Sequence, residues 1–203
     1  MNELNIPTFL LHHPALVDRK VYLEKRLQEL NIDPIWITNF SPEDIDIPED
    51  SNFKNKGEYS LYLKHQYCFE QQIKNNYQYI IIMEDDILIP DDYHEHIKTC
   101  LAEFEQINGD LLFVGICCNI KPNNIIEGKH VYWQSEFRTR CTHCYITTLN
   151  AAQKIMKHFK SKQRAADWKL NEIIETENLK SCYSEPGWHQ GSHGGQYQGT
   201  LNN

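Results

Sequence analysis

The sequence predicts an α/β fold in which a mostly parallel sheet is covered by helices on both faces, and three observations carry that expectation. Short apolar runs of strand length alternate with stretches whose apolar residues recur at helical spacing. No internal repeat, low-complexity segment or Gly/Ser-rich linker interrupts them. The run Tyr79-Ile80-Ile81-Ile82-Met83 also ends abruptly in Glu84-Asp85-Asp86. Three adjacent acids repel one another, and fold stability does not ask for them at the end of a buried strand. Their placement suggests a hard-cation site at the carboxyl edge of an α/β sheet, where such folds bind ligands. The bland alternative is a solvated turn between strand and helix.

Taken in order, Thr8 to Leu11 reads as a first strand, and Asp18 to Leu30 as a helix with an apolar stripe of Val21, Leu23, Leu27 and Leu30. Pro34 to Thr38 reads as a second strand. The acidic, Pro-punctuated segment from Phe40 to Lys56 reads as a surface excursion. Within it Ser41-Pro42-Glu43-Asp44 mimics a capping box, but Ile45-Asp46-Ile47-Pro48 cannot continue a helix. A long amphipathic helix is expected from Glu58 to Asn75, and further helices at Asp92 to Gln106, Ala151 to Phe159 (with Asn150 as N-cap) and Asp167 to Glu175. Leu111 to Ile116, Val131 to Gln134 and His143 to Thr148 complete the predicted strands.

A chain of 203 residues with 40% hydrophobic and 11% aromatic residues can build a sizeable core. Its net charge of -8 and pI near 5.7 argue against a nucleic-acid phosphate binder, which would show a basic face. The longest apolar run falls far short of the roughly 20 residues needed to span a bilayer, so a cytoplasmic protein without signal or transmembrane segment is expected. Seven cysteines scattered through the chain predict reduced thiols. Cys141-Thr142-His143-Cys144 has no well-spaced second pair, Cys117-Cys118 being adjacent, which argues against structural zinc.

Several blocks, in order, resemble glycosyltransferase family 25. They are Phe9-Leu10-Leu11 with Asp18-Arg19-Lys20, Gly57-Glu58-Tyr59-Ser60 with Lys64-His65, and Glu84-Asp85-Asp86. Cys144-Tyr145-Ile146-Thr147 with Ala151-Ala152, then Asp167-Trp168, and finally Pro186, Gln190 and Ser192 complete the series. His12 stands where the family has Asn, Lys64 where it has Ser, and the Gly187 to Gly195 tail is unusual.

The resemblance implies one domain over residues 1–203 with a GT-A (Rossmann-like) fold, its sheet mixed and mostly parallel. It implies a UDP-sugar donor, a glycan or glycoprotein acceptor, and a hexosyl transfer with inversion that depends on Mn²⁺ or Mg²⁺. Asp86 would contact the metal directly, and Glu84 and Asp85 would hold ribose or metal-bound water, with Glu84 also a possible ligand. His189 or His193 would complete the metal shell. His12, Arg19 and Glu58 would bind the donor, although Arg19 also reads as a surface cation at a helix start. Asp167 is the candidate general base, with a helix N-cap as its alternative. Two other readings stay open: an inactive GT-fold module that binds carbohydrate or a partner, and a metal-dependent phosphodiesterase, which would need a basic substrate path.

Overall fold

The computed structural model describes residues 6–115, 125–134, 141–161 and 163–191. In chain order the strands are β1 (Thr8–Leu11), β2 (Ile35–Ile37), β3 (Tyr79–Glu84), β4 (Leu111–Gly115), β5 (Val131–Trp133), β6 (Cys144–Thr148) and β7 (Ser181–Trp188). The helices are α1 (Val17–Glu29), α2 (Lys56–Asn75), α3 (Tyr93–Gln106), α4 (Leu149–Phe159) and α5 (Ala166–Thr176). The strands form one sheet in the order β2-β1-β3-β6-β4-β7-β5. Pairings β1/β2, β1/β3 and β4/β7 are parallel, whereas β3/β6, β4/β6 and β5/β7 are antiparallel, so the sheet is mixed.

Period-two alternation builds a core on each face. Phe9, Leu11, Ile80, Ile82, Phe113 and Tyr145 pack with Tyr62 and Phe69 of α2, Ile155 and Phe159 of α4, and Leu170 and Ile173 of α5. Leu10, Ile81, Met83, Leu112, Val114 and Ile146 pack on the other face with Leu23 and Leu27 of α1 and Ile97 and Phe104 of α3. Strands apolar on both faces follow from this double covering. The parity continues past the apolar run: Glu84 falls on the α2 face, and Asp85 turns toward α1.

Local chemistry sets the helix ends that matter. Asn55 caps α2 by accepting from the Glu58 amide at 2.9 Å, while the Glu58 carboxylate accepts from the Lys54 amide at 2.9 Å. At the far end, left-handed Asn76 closes the helix. The cap of α4 is Thr148, whose hydroxyl accepts from the Ala151 amide at 3.1 Å; Asn150, the predicted cap, lies inside the first turn. Pro42–Asp44 forms one short 3₁₀ turn in the predicted excursion.

Strand β7 was not legible in the sequence, because Pro186 and Gly187 are poor strand residues. It nevertheless pairs with both β4 and β5, and beyond it the chain turns back to meet Ile87 through a bridge at Gln190. Among the described residues no helix is long and apolar enough to cross a membrane.

Candidate active site

The ends of β1 and β3, which run parallel, meet the start of antiparallel β6 at one edge of the sheet. The first turns of α2 and α5 close over that edge. A cleft of about 980 Å³ results, lined among others by His12, Arg19, Lys64, the three acids, Asp167 and Gln190. Behind the cleft-lining Ser60, Phe40 sits at φ 60°, rare for a bulky residue, and its carbonyl accepts from the buried Ser60 hydroxyl at 2.6 Å.

The three consecutive acids have three different surroundings. Asp85 is buried among donors: Arg19 Nη1 at 2.6 Å on one oxygen, and His12 Nδ1 at 2.8 Å and the His13 amide at 3.1 Å on the other. Burial alone would raise its pKa, but the His12 hydrogen bond and the Arg19 charge hold it below the usual carboxylate value. Glu84 accepts from the Thr142 hydroxyl at 2.5 Å and from His65 Nε2 at 3.3 Å. Against the effect of burial, these partners keep Glu84 on the ionised side as well. The other nitrogen of His65 lies 2.9 Å from the Tyr145 hydroxyl, which fixes the imidazole between β6 and the acid.

Asp86 has no such partners. Arg19 approaches only to 4.0 Å, and the Gln190 amide nitrogen lies 3.3 and 3.4 Å from its two oxygens. Burial, then the charge of Glu84, pushes its carboxyl up to about 7, with Asp85 adding to the effect and Arg19 opposing it. A carboxylate so placed favours a proton or a cation. Among the described residues no three His, Cys, Asp or Glu side chains converge as a ready-made metal shell. The Asp86 carboxylate is a hard oxygen donor of the kind that suits Mg²⁺ or Mn²⁺.

Asp167 lies in the first turn of α5, where Ala165 occupies the N-cap position and makes no side-chain cap. One Asp167 oxygen accepts from the Trp168 amide at 2.8 Å. Burial raises its carboxyl to about 6, with the charges of Glu84 and Glu58 adding to the effect and the Trp168 amide opposing it. A carboxylate near 6 is matched to proton abstraction at neutral pH. Trp168 is 53% exposed beside it, at the rim of the same cleft.

His12, Arg19, Glu58, Glu84, Asp85, Asp86 and Asp167 thus all line one cleft. Within it the Glu58 carboxylate is engaged by the Lys54 amide, and Arg19 is buried against Asp85 instead of lying on the surface. His189 is exposed and does not line the cleft; His193 and Ser192 lie outside the described residues. Sequence reasoning assigned no role to Lys64, His65, Thr142 or Gln190. Lys64 is buried and donates to the His12 carbonyl at 2.8 Å, and burial lowers its pKa. A Lys-His pair on the buried face of a helix was the available signal for two of them.

The expectation of reduced thiols is corrected at Cys141, which is disulfide-bonded. Cys68, Cys100, Cys144 and Cys182 are free and buried. Pairing of cysteines distant in sequence is decided by the fold, which spacing does not reveal.

The model of glycosyltransferase family 25 (LPS biosynthesis protein) matches residues 15–170. Among solved structures the chain is similar to a glycosyltransferase involved in the glycosylation of the major capsid of PBCV-1, with TM-score 0.49 and 10% identity over 88% of this chain and 80% of that one. No curated protein matches the chain.

Proposed function

This chain belongs to glycosyltransferase family 25, and on that premise we propose that it is a metal-dependent, inverting hexosyltransferase. The donor is a UDP-sugar, galactose or glucose being the hexose, and the acceptor is a hydroxyl of a glycan or glycosylated protein. The observation that carries this reading is that Asp86 and Asp167, with carboxyls near 7 and 6, line the same cleft. One is suited to a cation and the other to a proton.

Mn²⁺ or Mg²⁺ bound at Asp86 would neutralise the leaving diphosphate as a Lewis acid. Asp85 anchors Arg19 and His12 at the end of β1, which fixes the floor on which the nucleotide lies. His12 Nε2 is buried without a hydrogen-bond partner at that floor, beside the Trp36 ring. Glu84, held by His65 and Thr142, keeps negative charge behind Asp86. Asp167 accepts the acceptor hydroxyl proton as the oxygen bonds to the anomeric carbon. The bond from that carbon to the diphosphate breaks on the opposite face, its electron pair leaves with UDP, and the proton stays on Asp167.

Release of UDP from UDP-galactose and UDP-glucose, measured with Mn²⁺ and then with EDTA, tests the assignment. Metal-dependent release that Asp86→Asn abolishes supports it. Release that is indifferent to EDTA and to that substitution would overturn it.

A further inference from the structure

We propose that Gln190, through its amide carbonyl oxygen, is a ligand of the cation held by Asp86; the inference rests on the metal-dependent reading above. Beyond β7 the chain doubles back along 86–88. Leu88 N donates to the His189 carbonyl at 2.9 Å, Gly191 N to the Asp86 carbonyl at 2.7 Å, and Ile87 bridges Gln190 antiparallel. Because side chains alternate along such a segment, Gln190 faces the cleft and His189 faces away from it. The backbone thus delivers an amide to Asp86, and the adjacent imidazole stays exposed.

The contact itself is poor as a hydrogen bond. The amide nitrogen is shared between both Asp86 oxygens at 3.3 and 3.4 Å, longer than the roughly 2.9 Å typical of amide donors. Around a hard cation with metal–oxygen distances of about 2.1 Å, ligand oxygens at right angles are about 3.0 Å apart, so a shift of roughly a few tenths of an ångström would bring the amide to ligand spacing beside Asp86. Rotating the amide by half a turn places its oxygen where the nitrogen sits. Without a cation, the N–H group must face the carboxylate, since two oxygens would repel. With one, the carbonyl lone pairs face it. A neutral amide oxygen also suits a site already flanked by Glu84 and Asp85, because it adds a hard ligand without adding charge.

Titration of the intact chain with Mn²⁺, reading free Mn²⁺ by electron paramagnetic resonance, tests this without turnover. Gln190→Ala should weaken Mn²⁺ binding about tenfold or more, the scale set by losing a group that supports a metal. Gln190→Asn, which withdraws the amide by one methylene, should weaken it similarly, whereas Gln190→Glu should bind at least as tightly as the wild type. Near-ultraviolet circular dichroism checks folding, and if the Ala variant unfolds, the Asn/Glu contrast decides. Wild-type or tighter binding by the Ala and Asn variants overturns the ligand role and leaves Gln190 a placeholder on Asp86. Absence of Mn²⁺ binding in the wild type, with and without UDP, overturns the metal-dependent reading and this inference with it.

Discussion

Asp85→Asn should destabilise the fold severely even though the residue sits among the acids of the site. The substitution keeps side-chain shape, so no cavity opens. What it removes is the Asp85 carboxylate that Arg19 meets at 2.6 Å and His12 at 2.8 Å, while Arg19 and His12 both stay buried. Breaking a buried ion pair by removing one partner costs about 3–5 kcal/mol, because the remaining charge loses its close, hydrogen-bonded counter-charge; Asp86, at 4.0 Å, is too far from Arg19 to replace it at hydrogen-bond distance. For a chain of this size that corresponds to a melting-temperature loss of roughly 6–20 °C. Urea denaturation and calorimetry of the two proteins in EDTA measure it. The Asp85 carboxyl is held below its ordinary value, so its contribution is fully present above about pH 4 and disappears as pH falls through the folded-state value. The gap between wild type and variant should therefore stay constant from about pH 5 to 8 and close only in acid. A loss under about 1 kcal/mol, the size typical of exposed pairs, would refute the reasoning.

Asp86→Asn should act oppositely. Its carboxyl is raised from 3.8 to about 7, so in EDTA the wild type loses stability as pH rises through that window, and the variant, free of this titration, should be the more stable at pH 8 by thermal melt. A variant less stable than wild type there would contradict the assigned environment. Asp167→Asn should lower kcat by about 10²–10⁴ with little change in donor KM, as expected for loss of a general base. In the wild type the rate should rise with pH through about 6, where Asp167 ionises, and a pH-rate profile of the variant should lack that limb. His65→Gln should weaken the hold on Glu84 and cost about 1–3 kcal/mol by leaving the Tyr145 hydroxyl and the acid short of a partner, measured by urea denaturation.

The sequence was most legible where local physics decides. Continuous apolar runs located β1, β3 and β4, and helical spacing located α1, α2 and α3 within a residue or two at each end. The acidic end of β3 could be singled out because three acids after a buried strand are conspicuous in a single chain, whereas Asp167 was reached through the family resemblance, since an acid at a helix start reads equally as an N-cap. What distinguishes Glu84, Asp85 and Asp86 was not legible. Their different environments come from Arg19, His65, Thr142 and Gln190, which lie from 19 to 104 residues away in sequence. Strand β7 escaped for a related reason: pairing with β4 and β5 overrides the poor propensity of Pro186 and Gly187. The cap of α4 was misplaced by two residues because Thr148 and Asn150 are both good capping types, and only the backbone turn selects between them.

Calorimetric titration of UDP into the intact chain, with GDP as control, first with Mn²⁺ and then with EDTA, tests the central claim most directly. The expected result is UDP binding that requires the metal, is lost in EDTA and in Asp86→Asn, and exceeds that of GDP. Absence of UDP binding with Mn²⁺ present, or equal binding in EDTA, would contradict the account.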